Sequence, residues 1–120
     1  MYKRIYSLKN KYDFSRLFKE GSLTSLPHFI VRYNSKASTA LNIPLFGIVV
    51  SSKISKKAVI RNELRRMLAR NIKVNLNSFP IGKYVFIPKK NILGENGKIN
   101  IDAQNISTEI NTFLSKMDIS

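Results

Sequence analysis

The chain has 120 residues, with 21 Lys and Arg against 7 Asp and Glu, which gives a formal net charge of +14 at pH 7. That length suits one domain with one core, and 43% hydrophobic residues is too many for a basic tail that never folds. With no Cys and a lone His, His28, a disulfide framework, a thiol nucleophile and a zinc finger are excluded, and at most one imidazole is left for catalysis.

The first periodic segment is Lys11–Glu20, where Phe14, Leu17 and Phe18 recur at i, i+3, i+4. Asn10 and Asp13 suit its start and Gly21 its stop, so a short helix is expected. Its two rings admit two roles: core packing beside Leu17, or partial exposure for stacking on an unpaired base. Ser22–Pro27 reads as a turn. His28–Tyr33 follows as a strand, with Phe29, Val31 and Tyr33 alternating against His28, Ile30 and Arg32. Arg32 and Tyr33 face the same choice between structure and binding, and His28 reads as a polar strand residue.

Beyond the polar stretch Asn34–Asn42, Leu45–Ser51 is a second strand, expected to pair with the first as an antiparallel hairpin with a long loop. Its apolar run is far shorter than the ~18 residues of a membrane span, and Met1–Tyr6 leads into no signal-type segment, so a cytoplasmic protein with no membrane partner is expected. From Lys57 the period becomes helical. Ile60, Leu64, Met67, Leu68 and Asn71-Ile72 form a core stripe, while Lys57, Arg61 and Arg65 recur every fourth residue beside Asn62, Arg66 and Arg70.

Lys83–Pro88 reads as a third strand and Asn91–Asn100 as a loop. The last segment places Ile106, Ile110, Phe113, Leu114 and Met117 on one helical face, starting near Asp102. The expected architecture is a two-layer α/β (α+β) sandwich, a small mixed sheet with helices in the order α-β-β-α-β-α, spanning 1–120 as one domain.

The charge is local. Residues 1–90 hold 19 basic and 3 acidic side chains, and residues 91–120 hold 2 and 4. Ser51–Lys73 alone carries Lys53, Lys56, Lys57, Arg61, Arg65, Arg66, Arg70 and Lys73 against the single acid Glu63. A solvated helix face usually mixes its signs, so this concentration points to a polyanion, nucleic acid first. Arginine forks match phosphate oxygens, and the Asn62 amide suits a sugar hydroxyl or a base edge. Glu63, at the flank away from Lys57, Arg61 and Arg65, three residues before Arg66 and seven before Arg70, is expected to orient those two arginines and need not face the nucleic acid. The acids are scattered singly and the glycines fit no phosphate-loop spacing, so no catalytic residue, no protein-held metal and no small-molecule substrate is expected.

Two segments carry a family resemblance. Phe46–Leu68, with Ser51-Ser52-Lys53 and then Ala58-Val59-Ile60-Arg61-Asn62-Glu63-Leu64-Arg65-Arg66, resembles the signature of the bacterial ribonuclease P protein subunit. In that family a strand ending in Ser-Lys-Lys leads to Ala-Val-x-Arg-Asn-Arg-x-Lys-Arg on a helix. Upstream, Leu8–Gly21 resembles the family's first helix, with Asp13-Phe14 and then Phe18 four residues later.

The resemblance implies a noncatalytic cofactor of a catalytic RNA that removes the 5′ leader of precursor tRNA with Mg2+ bound mainly by the RNA. The implied partners are ribonuclease P RNA and precursor tRNA. Lys53, Lys56, Lys57, Arg61, Asn62, Arg65, Arg66 and Arg70 would contact RNA, and Phe14, Phe18 and Arg32 would line a cleft for the leader. A left-handed β-α-β crossover is implied as well, against the usual hand. Glu63 stands in place of the third residue of Arg-Asn-Arg, Ala69 where a basic residue often occurs, and Ser52 in place of the first Lys of Ser-Lys-Lys, which together imply a weaker electrostatic hold on RNA. A structural RNA-binding protein of ribosomal type is the alternative; it shares size and charge but needs no leader cleft.

Overall fold

The computed structural model describes residues 6–7, 19, 21–34 and 43–119. Its strands are β1 (Tyr6–Ser7), β2 (Ser22–Ser25), β3 (Phe29–Asn34), β4 (Leu45–Ile48) and β5 (Lys83–Pro88), and its helices are α1 (Ala58–Val74) and α2 (Ala103–Ile119). The expected helix over Lys11–Glu20, with Phe14 and Phe18, lies outside the described residues apart from Lys19, which is helical.

The strands form one mixed sheet in the order β1-β4-β5-β3-β2. This corrects the expected hairpin of the His28 and Leu45 strands. β5 lies between β3 and β4, antiparallel to the first and parallel to the second, so α1 is the crossover of a parallel β-α-β unit. A second correction concerns Ser22–Pro27. Its first four residues are not a turn but the edge strand β2, antiparallel to β3 with Ser22 opposite Tyr33 and Ser25 opposite Ile30. Polar Ser-Leu-Thr-Ser shows no apolar alternation because an edge strand with mostly exposed side chains needs none.

The pleat sends alternate residues to opposite faces. Phe46, Tyr84 and Tyr33 stand in one cross-strand row, and Ile48, Phe86 and Val31 in the next. Both helices cover this face: Leu64, Leu68 and Ile72 of α1 meet Ile106, Ile110, Phe113, Leu114 and Met117 of α2 in the main core. Phe79, after the short 3-10 turn Leu76–Ser78, closes one end with its ring edge-on to Phe46 at 4.9 Å and to Tyr84 at 5.2 Å. The opposite row of Gly47, Val85, Arg32 and Leu23 faces away from the helices. There Val85 is buried among Leu45, Val49 and Ile87.

The helix ends follow local chemistry. Asp102 Oδ1 accepts the Asn105 N–H at 2.9 Å, an N-cap that satisfies an otherwise orphaned donor of α2. At the end of α1, Asn75 gives its backbone N–H to the Ile72 carbonyl and its side-chain amide to the Asn71 carbonyl at 2.8 Å. The same amide reaches Ser107 Oγ at 3.3 Å, which ties the C-terminus of α1 to α2.

Candidate nucleic-acid interface

The β4–α1 connection and the outer side of α1 carry the basic residues. Lys57 sits at the N-cap with extended backbone and no side-chain cap, and its N–H is instead held by Ser55 Oγ at 3.2 Å. Lys53, Lys56 and Lys57 are exposed, as are Asn62, Arg65, Arg66 and Arg70 on α1, while Leu64, Leu68, Asn71 and Ile72 are buried beneath them. The helix is two-faced because its 3.6-residue period separates the leucine stripe from the arginine stripe.

The arginines are not equivalent. Arg61 is half-buried, and its Nη1 donates to the Ser55 carbonyl at 2.9 Å, so it fastens the Lys53–Lys57 loop to the helix. Arg65 Nη1 donates to Asn62 Oδ1 at 3.0 Å, which couples the two side chains on the exposed face. Arg66 Nε leans on the Asn62 carbonyl and Arg70 Nε on the Arg66 carbonyl, each at a long 3.4 Å. The expectation that Glu63 orients Arg66 and Arg70 is therefore corrected: both arginines turn Nε to the backbone carbonyl four residues back, and the exposed Glu63 takes part in no ion pair among the described residues.

The other expected site residues lie elsewhere. Arg32 is half-buried in the sheet row that faces away from α1, so the sheet separates it from the arginine helix. Phe14 and Phe18 fall outside the described residues. The expectation of a polar strand residue at His28 is corrected, because β3 starts at Phe29 and His28 lies in the bend before it, where its backbone N–H donates to Glu109 Oε1 and its Nδ1 pairs with Oε2, both at 2.8 Å. Glu109 is buried at 7% exposure beside Ile110 on the apolar side of α2, and an acid placed within an apolar stripe is the signal by which sequence reasoning could have asked for a partner. Among the described residues no three His, Cys, Asp or Glu side chains gather as a metal site requires, and no helix is long and apolar enough to cross a membrane.

A mixed sheet covered on one face by two helices, one of them lined outside with arginine and lysine, defines a small basic α+β protein with positive charge gathered along one helix surface. The chain belongs to the bacterial ribonuclease P protein component family: the family model described as Ribonuclease P matches residues 2–118. It is 32% identical over 96 residues to the ribonuclease P protein component of a Nitratiruptor species, covering 80% of this chain and 83% of that one. The counterpart from Carboxydothermus hydrogenoformans is 36% identical over 83 residues, 68% of this chain and 70% of that one. Among solved structures, the RNase P protein from Thermotoga maritima superposes with a TM-score of 0.76 at 26% identity, covering 92% of this chain and 96% of that one. The Staphylococcus aureus RNase P protein shares the fold, with a TM-score of 0.73 at 22% identity over 95% of this chain and 96% of that one.

Proposed function

We propose that this chain is the noncatalytic protein subunit of a ribonuclease P ribonucleoprotein in the cytoplasm. It binds the catalytic RNA and the 5′ leader of precursor tRNA and so promotes endonucleolytic 5′ maturation. The observation that carries this reading is the arginine face of α1: Asn62, Arg65, Arg66 and Arg70 are exposed together beside Lys53, Lys56 and Lys57, on a helix whose other side is locked into the core.

Such a face binds RNA by releasing the counterions condensed on its phosphates, and forked guanidinium groups then fix the register of the contact. Arg61 works indirectly, because its bond to the Ser55 carbonyl keeps the three lysines of the loop next to the helix. The Asn62–Arg65 bond occupies the Asn62 carbonyl oxygen and leaves its amide N–H groups to donate to sugar or phosphate oxygens. Phe14, Phe18 and Arg32 are assigned to the leader by family analogy; Arg32 stands on the sheet face away from the arginine helix. Mg2+ is assigned mainly to the RNA. No step of this reading runs through a metal held by the protein.

The test is cleavage of a 5′-extended precursor tRNA by ribonuclease P RNA at low, near-physiological Mg2+, with and without this protein. Correct cleavage that rises only when both are present supports the cofactor role. Tight RNA binding without stimulation would favour a structural RNA-binding protein of ribosomal type, and cleavage by the protein alone would defeat both.

A further inference from the structure

Glu63 and Val59 are out of keeping with the face they occupy. Both are exposed and they stand one turn apart at i and i+4, so they are neighbours on the helix surface. Val59 is 65% exposed, whereas most other large aliphatic side chains among the described residues are buried or half-buried. Glu63 is the single acid among the eight basic residues of Ser51–Lys73, and no arginine covers it: Arg66, three residues on, turns its Nε to the Asn62 carbonyl instead. Packing does not need either residue, and a surface that only collected phosphates would be better with neither.

A carboxylate can only accept hydrogen bonds, and phosphate oxygens can only accept them too, so phosphate opposite Glu63 would be repelled. What RNA can offer such a residue is a donor, either the 2′-hydroxyl of a ribose or an exocyclic amino group on a base edge. An apolar side chain one turn away suits the carbon face of the same nucleotide. The charge around the pair brings the polyanion close and leaves this spot to distinguish among its parts.

We propose that Val59 and Glu63 form a nucleotide-reading element within the arginine face of α1, with the Glu63 carboxylate accepting a hydrogen bond from a ribose or base donor of the bound RNA while Val59 packs against that nucleotide. This rests on α1 being the RNA face. It makes a prediction opposite in sign to charge alone. Removing one negative charge from a polyanion-binding surface should tighten binding; removing a hydrogen-bond acceptor that is in use should weaken it.

The experiment compares ribonuclease P RNA with heparin, a polyanion without nucleotides. Glu63→Ala is expected to weaken RNA binding about tenfold while eluting from heparin at higher salt, and Glu63→Gln, which keeps an acceptor oxygen, to recover part of the RNA affinity. Val59→Ala is expected to weaken RNA binding about threefold with unchanged heparin elution. Thermal melts by circular dichroism should match those of the parent, since both side chains are exposed. Substituting 2′-deoxy or altered bases at the protein's footprint separates the two donor sources, because only loss of the true donor makes parent and Glu63→Ala bind alike. Tighter binding of Glu63→Ala to both probes would overturn the proposal, as would a loss seen only with Mg2+ present, which would mark a bridging cation. Arg65→Ala is the control. If it weakened neither interaction, the reading of α1 as the RNA face would itself fall.

Discussion

Glu109 is held by two groups of His28, its backbone N–H and its ring Nδ1, each at 2.8 Å. A buried carboxylate without partners is strongly unfavourable, so this pairing decides whether an acid can sit in the stripe of α2 at all. It also ties the turn before β3 to α2, 81 residues away in sequence. Glu109→Ala strands the His28 N–H and should destabilise the protein by about 1–3 kcal/mol in urea unfolding, with Glu109→Gln restoring part of the loss. Tyr84 is the other buried polar group with a marked consequence. Its hydroxyl donates to the Pro80 carbonyl at 2.7 Å, and desolvation first, then the neighbouring Tyr33, pushes its ionisation well above the usual tyrosine range. Below the usual tyrosine pKa of about 10 the folded and unfolded states both keep the proton, so the preference for the folded state is fully present. As pH rises beyond that, the unfolded chain ionises while folded Tyr84 does not, and stability falls. Absorbance at 295 nm should show one tyrosine that titrates only together with alkaline unfolding.

At the scale of elements, α1 separates a packed apolar face from an exposed charged one. Leu68 is fully buried and Arg65 exposed on the outside, three residues apart. Leu68→Ala should lower unfolding free energy by about 2–5 kcal/mol through lost burial and a residual cavity, while the protein that remains folded binds RNA as before. Arg65→Ala should do the reverse, leaving the urea midpoint in place and lowering the slope of log affinity against log salt by roughly one unit, as expected for one lost phosphate contact. Both faces of α1 were legible in the sequence, because a 3.6-residue period names a helix and its buried side together. All five apolar positions of α2 were legible for the same reason, as was Asp102 as the residue that starts it. Strand partners were not legible. A period of two says which residues share a face and nothing about which strand lies alongside, so His28–Tyr33 and Leu45–Ser51 looked like natural neighbours when β5 in fact divides them. The Arg66 and Arg70 contacts were missed because helix spacing ranks side-chain partners such as Glu63 and leaves out the backbone carbonyls one turn back.

For the whole molecule, charge and fold are distributed differently. The core draws on both halves of the chain, whereas residues 91–120 carry 2 basic and 4 acidic side chains against 19 and 3 before them. The exposed side of α2 is accordingly amide and hydroxyl in character, with Gln104, Asn105, Thr108, Asn111 and Thr112 outside. RNA protection mapped by hydrogen exchange should therefore slow amides of the Lys53–Arg70 region and leave the Gln104–Thr112 face unchanged.

The central place of β5 has a consequence for how the protein comes into being. Its two neighbours, β4 and β3, are both made earlier, yet neither ladder can close until Lys83–Pro88 has left the ribosome. A nascent chain that ends just before Lys83 already displays every lysine and arginine of the arginine helix but has no middle to its sheet. Such non-local pairing is slow to form, and domains consolidate only as their segments emerge. The growing chain thus passes through a stage in which every residue of its positive helix is present and the sheet on which that helix packs is not.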